Sequence, residues 1–133
     1  MVKTGIFDYI NILDKAADAA WLRNDAIANN IANNDTPGYK RQDVAFENEL
    51  KRALGNSHFE TMDAKVSDVN RRELSHITPE VYTEQADHSY RLDGNNVDID
   101  TEEVELASEQ LRYQLLADSV TQEFSRMKTA IGP

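Results

Sequence analysis

Two runs of residues at alternating 4-3 spacing, one near each end of the chain, constrain the fold more than any other feature of this sequence. Ile6, Ile10, Leu13, Ala17, Ala20, Asn24, Ile27 and Ile31 form the first run. Leu106, Gln110, Tyr113, Ala117, Val120, Phe124, Met127 and Ile131 form the second. A 3.5-residue repeat sustained this long keeps one stripe of a helix apolar from end to end and suits helices lying along each other. The spacing predicts a mainly α fold in which the N- and C-terminal heptad helices pair as an antiparallel coiled-coil hairpin. Two helices of an ordinary bundle would carry the same stripe. Asn24 and Gln110 interrupt the two seams, either to set register at a cost in stability or as solvated exceptions.

The stretch Asn29 to Arg41, NNIANNDTPGYKR, ends the first helix. Asn33, Asn34 and Asp35 can bond free helix-end groups and tolerate left-handed backbone angles. Pro37 pre-sets one turn residue, and Gly38 permits the positive φ of a type II turn. The second long helix opens with Asp100 as expected cap, Glu103 three residues on as its capping-box partner, and Ile99 with Val104 as a staple. Asp93 to Asp98 is dense in turn formers and leads into that cap. Between the long helices, Asp43 to Leu54 carries Phe46, Leu50 and Leu54 at i, i+4, i+8 before Gly55, which reads as a short amphipathic helix. Residues 56 to 92 read as a long irregular segment with at most one hairpin, from weak alternation around Val81-Tyr82 and Tyr90-Leu92. The division expected is 1–36 as N-terminal helix, 37–100 as turn, short helix and outward-facing segment, and 101–133 as C-terminal helix, together one assembly domain.

Charge and chemistry narrow the function. With 14 basic and 24 acidic residues the chain carries −10, against nucleic-acid or anionic-membrane partners. Most of the acidity lies in residues 56–100. There is no cysteine, hence no disulfide framework or thiolate chemistry. His58, His76 and His88 are too scattered to be metal ligands. The stretch from Asp93 lacks the glycine and terminal glutamate of a calcium loop, having Asp98 and Val104 there. No phosphate loop, nucleophile elbow or zinc-protease motif is present. No enzyme, no cofactor and no small-molecule substrate is expected. No Sec-type leader or bilayer-spanning apolar run is written in the sequence. Trp21, Leu22, Val104, Leu111, Leu115 and Leu116 lie off the seams and call for partners of their own.

The string Asn29, Asn30, Ile31, Ala32, Asn33, followed by Thr36, Pro37, Gly38, Tyr39, resembles the N-terminal motif of the bacterial flagellar axial proteins. The second string, Leu92 through Asp93, Gly94, Asn95, Asn96, Val97, Asp98 and Asp100, resembles the entry to the C-terminal helix in the short proximal-rod members of that family. The resemblance implies a structural subunit of the basal-body rod that polymerises through its terminal helices, with the middle of the chain facing outward. It implies other copies of the chain, neighbouring rod subunits and the rod-to-inner-membrane-ring junction protein as partners. It also implies passage through the flagellar type III export apparatus without a cleaved signal peptide, and a periplasmic site in the basal body. Tyr39 is expected to point at a neighbouring subunit. The alternative function is a small cytosolic coiled-coil adaptor or export chaperone.

Overall fold

The computed structural model describes residues 5–85 and 91–132. Helix α1 (Ile6–Ala32) is followed by strand β1 (Gln42–Ala45), helix α2 (Glu47–Gly55), helix α3 (Met62–Arg72), a 3-10 turn (Leu74–His76), strand β2 (Glu80–Thr83) and helix α4 (Ile99–Ile131). The fold is mainly helical, with one two-stranded sheet. No described helix is long and apolar enough to cross a membrane.

Helix α1 is the spine because it buries two stripes. Ile10, Ala20 and Ile27, from the 4-3 seam, are buried. A second stripe, Ile12, Ala16, Ala19, Arg23, Ala26 and Asn30, repeats the same 4-3 spacing about 100° around the helix. Ala19 is fully enclosed by a core of Phe46, Ala53, Val69, Leu74 and Ile77, with Ile12, Ala16, Leu50 and Leu54 against it. Helix α1 packs most extensively against α4 and β1, and less against α3. The far end of this packing is tied by polar contacts. Lys15 Nζ donates to Leu74 O and, at 2.8 Å, to Ile77 O. Asn11 Nδ2 meets Asn70 Oδ1 at 3.2 Å, and the Tyr9 hydroxyl donates to Asp63.

Helix α4 lies against α1. Glu102, near its start, bonds Asn30 near the end of α1 (3.1 Å), and Glu109 meets Arg23 one heptad on (3.4 Å). The stripe of α4 that loses exposure is Glu102, Leu106, Glu109, Leu116, Val120, Glu123 and Met127. Leu106, Val120 and Met127 belong to the expected seam, but the alternate slots fall one residue earlier than drawn. Gln110, Tyr113, Ala117, Phe124 and Ile131 are exposed instead, Phe124 by 50% and Ile131 by 80%. The reason is charge: the inner slots at 102 and 109 are glutamates bonded to Asn30 and Arg23, which a search for apolar spacing passes over. The side chain of Ile6 lies outside the described residues.

The middle of the chain is not one irregular segment. Residues 62–72 form α3 and residues 80–83 form β2. Helix α3 turns only Ala64, Val66 and Val69 as apolar residues into the core, and its other buried positions are Ser67 and Asp68, so its hydrophobic period is faint. Thr61 caps it by accepting from Ala64 N at 3.3 Å. Strand β2 contains the alternating Val81-Tyr82 pair, but its partner is β1, with Val44 opposite Val81 and Gln42 opposite Thr83. The Tyr90 half of the expected hairpin lies outside the described residues, as does His88. The short helix begins at Glu47 rather than Asp43 because Asp43 to Ala45 are held in the sheet and Phe46 (φ −154°, ψ −52°) breaks the path into α2. The cap of α4 is Asp98, not Asp100. Its carboxylate accepts from Asp100 N (3.2 Å) and Thr101 N (3.4 Å). Val97, 1% exposed, anchors the chain just before it, so Asp98 is the first residue free to turn into the helix.

Candidate assembly site

The two asparagine-rich strings, more than fifty residues apart in sequence, meet at one corner of the molecule. The chain leaves α1 through a turn in which Tyr39 N donates to Thr36 O (3.2 Å), with Pro37 and Gly38 at its centre and Gly38 at φ +74°. These are the marks of the expected type II turn. Gly38 N then donates to Asp93 O (2.7 Å), and Asn96 N to Tyr39 O (3.3 Å), so the turn is zipped to the segment entering α4. Gly94, at φ +78°, backs onto it so closely that a Cβ there would lie 3.6 Å from Gly38 Cα. Asn33, Asn34 and Asp35 do not use left-handed angles; no described residue other than glycine has positive φ.

Asparagine is the residue of this corner because its amide donates and accepts on one short arm. Asn30, fully buried, uses all four of its bonding positions. Its Nδ2 donates to Gln42 O (2.8 Å) and Glu102 Oε2 (3.1 Å), and its Oδ1 accepts from Gln42 N (2.8 Å) and the Tyr39 hydroxyl (3.1 Å). Asn95, also fully buried, gathers the loose carbonyls at the end of α1. Its Nδ2 lies 2.8 Å from Asn33 O, 3.1 Å from Asn34 O and 2.8 Å from Thr36 O, while Oδ1 accepts from Val97 N. Asn96 Oδ1 accepts from Arg41 N (2.7 Å), and Lys40 Nζ donates to Gly94 O (2.6 Å). Asn33 closes the helix end through Asn29 O and accepts from Thr36 Oγ1. Ala32, Thr36 and Pro37 are exposed on the rim.

Beneath the corner sits an ion-pair ladder that the sequence reading missed. Glu102, 1% exposed, accepts from Arg41 Nε at 2.7 Å; Arg41 also bonds Glu84 and reaches Glu105 at 3.4 Å. Burial works against the Arg41 charge, but hydrogen bonding to Glu102 and the charges of Glu102 and Glu84 outweigh it and hold the guanidinium more firmly protonated than usual. Burial, and then the Glu102 charge, push the Tyr39 phenol up. One heptad along, Arg23 forks onto both oxygens of Glu47 at 2.6 Å. That fork is the main cause of the lowered Glu47 pKa. The available signal was a pair of heptad repeats in polar residues, Arg23 with Asn30 and Glu102 with Glu109. Asn24 and Gln110, read as the polar seam slots, are their immediate neighbours. Tyr39 is turned inward onto Asn30 rather than outward to a neighbour, because its ring spans the gap between the turn and the last residues of α1.

Residues 10–40, from α1 through the turn, match the family described as flagella basal body rod protein. Over nearly its whole length the chain is similar to flagellar basal body rod protein FlgB of Bacillus subtilis, at 36% identity over 122 residues and 92% of each chain. FlgB of Cereibacter sphaeroides is 32% identical over 134 residues, covering 96% of this chain and 97% of its own. FlgB of Escherichia coli K12 is 32% identical over 116 residues and 82% of each chain. The chain belongs to the FlgB family of flagellar basal body rod proteins. It is a structural rod subunit of the flagellar basal body. In this FlgB-family chain the two strings are the two halves of a single intramolecular joint, which sets the direction of α4 relative to α1. The joint is internal to the subunit.

Proposed function

We propose that this chain forms the proximal part of the rod, polymerising through its terminal helices. In this reading α1 and α4 act as an antiparallel coiled-coil pair, and residues 37–100 face outward from the axis. The observation that carries it is the second apolar face of α4. Val104 (71% exposed), Leu111 and Leu115 (58% each) recur on the side away from the Glu102 and Glu109 stripe, while Phe124 and Ile131 leave further apolar surface exposed on the flank of that stripe toward the helix end. Exposed apolar side chains recurring along a helix mark an interaction surface. The partners proposed are other copies, neighbouring rod subunits and the rod-to-inner-membrane-ring junction protein. Type III export without a cleaved signal peptide, and a periplasmic position, belong to the same proposal, supported by membership of a rod family rather than by any side-chain geometry.

Imaging of purified basal bodies carrying a compact tag on this chain tests the reading. Density for the tag is expected around the rod next to the inner-membrane ring. Tag density confined to the distal rod or hook, or absence of the chain from intact basal bodies, would refute it.

A further inference from the structure

A cleft of about 610 Å³ opens between α1, the β1–α2 junction and α4. Asp43, Glu47, Glu105 and Glu109 line it, with Arg23 and Ser108. Arg23, Arg41 and Arg112 all reach these carboxylates, but Glu84 and Glu102 share the same arginines, leaving six carboxylates to three guanidiniums. Glu109 is the telling member. It is 7% exposed, and while its Oε1 faces Arg23 (3.4 Å) and Arg112 (3.3 Å), its Oε2 accepts no hydrogen bond. A buried carboxylate oxygen without a donor is costly, and a cation entering the cleft relieves that cost. Burial is the main cause of the raised Glu105 pKa; the Glu102 and Asp43 charges add to it against the pull of Arg41 and Arg23.

We propose that this cleft receives the Lys128 ammonium of a second copy of the chain, an inference that rests on reading the protein as a polymerising rod subunit. Lys51 and Lys128 are exposed and pair with no described carboxylate. Lys51 lies one turn beyond Glu47 on α2, the helix whose start lines the cleft. Lys128 lies about 28 Å along α4 from Glu109, at 1.5 Å per residue. We assign the contact as heterologous, each copy giving its lysine to one neighbour and taking one from another, so that one cleft and one lysine stay free at the ends of every pair and the contact extends into an open array; a mutual exchange would close as a dimer and give a single linked band. At the mouth the Glu105 carboxylate and Ser108 hydroxyl accept from the ammonium, and Glu109 turns Oε2 toward it from below.

The chain has no cysteine, so introduced thiols report without background. Ser108→Cys combined with Ser125→Cys keeps Lys128, with Ser125 one turn before it on the same side of α4. The two positions are about 25 Å apart along one helix, too far for a link within a chain. Treating purified basal bodies with a short bis-maleimide is expected to give a ladder of linked copies. A variant present at wild-type amount that stays a single-chain band overturns the proposal. Wild-type chain missing from the same preparation instead overturns the rod reading itself. In a parallel arm, Ser108→Lys fills the cleft with a cation of its own chain, and is expected to lower rod assembly at least tenfold with unchanged circular dichroism. Normal swimming by Ser108→Lys also overturns the proposal.

Discussion

Asn95 does for the corner what no other side chain of its size can do, since three carbonyls from the end of α1 converge on one amide. Thr36 N and Tyr39 N still donate to Asn33 O and Thr36 O, so removing the amide strips Asn34 O of its donor and loosens the other two, at roughly 1–3 kcal/mol in all. Asn95→Asp is expected to be worse than Asn95→Ala, because a carboxylate cannot donate and would face the three oxygens with its own charge. Urea unfolding should rank wild type above Asn95→Ala above Asn95→Asp at neutral pH; an Asp variant as stable as Ala would mean the amide is not the clasp. The glycines behave differently. A Cβ at Gly38 meets nothing within 4 Å, so Gly38→Val carries the backbone strain of positive φ, about 1–3 kcal/mol, without a clash. The turn was legible from Pro37-Gly38 because those residues restrict φ directly. The role of Asn95 was not, because its partners lie about sixty residues away and nothing local names them.

At the scale of elements, legibility followed hydrophobic contrast. Helices α1 and α4 announced themselves through long apolar repeats, and Phe46, Leu50 and Leu54 announced α2. Helix α3 did not, since Arg71, Arg72, Lys65 and Asp63 swamp its two valines. Its stability rests visibly on charge. Arg72 grips Asp68 through Nε (2.8 Å) and Nη2 (2.6 Å), and Ser57 donates to the same carboxylate at 2.8 Å. Hydrogen bonding to Arg72, then to Ser57, lowers the Asp68 pKa from 3.8 to about 2. A carboxylate depressed in the folded state stabilises it above the unfolded pKa, and the contribution is lost as pH falls toward the folded value. Wild type is therefore expected to lose stability between about pH 5 and pH 2, whereas Asp68→Asn should start lower and decline less steeply. Urea midpoints measured at pH 7, 5, 4, 3 and 2 check this; parallel curves for the two proteins would rule out the assigned role.

For the whole molecule, the heptad spacing marks the right helices but joins positions of different burial. Ile27 and Phe124 both fall in the expected seams, yet Ile27 is 1% exposed and Phe124 50%. Spacing alone cannot separate them, because Arg23, Asn30, Glu102 and Glu109 hold α1 and α4 together through polar groups that shift the inner stripe of α4 by one residue. The distinction makes opposite expectations for the same change. Ile27→Asp buries an unpaired carboxylate beneath α4 and should cost several kcal/mol, seen as a lowered thermal midpoint of the isolated chain and loss of motility together. Phe124→Asp places a charge on a surface open to water in the free subunit, so its circular dichroism and thermal midpoint should match wild type. Its desolvation cost arises only when a neighbour covers that face, and the variant should be made and folded yet fail to restore swimming in a strain lacking the chain. If Phe124→Asp swims normally, the flank of α4 that carries Phe124 is not where subunits meet.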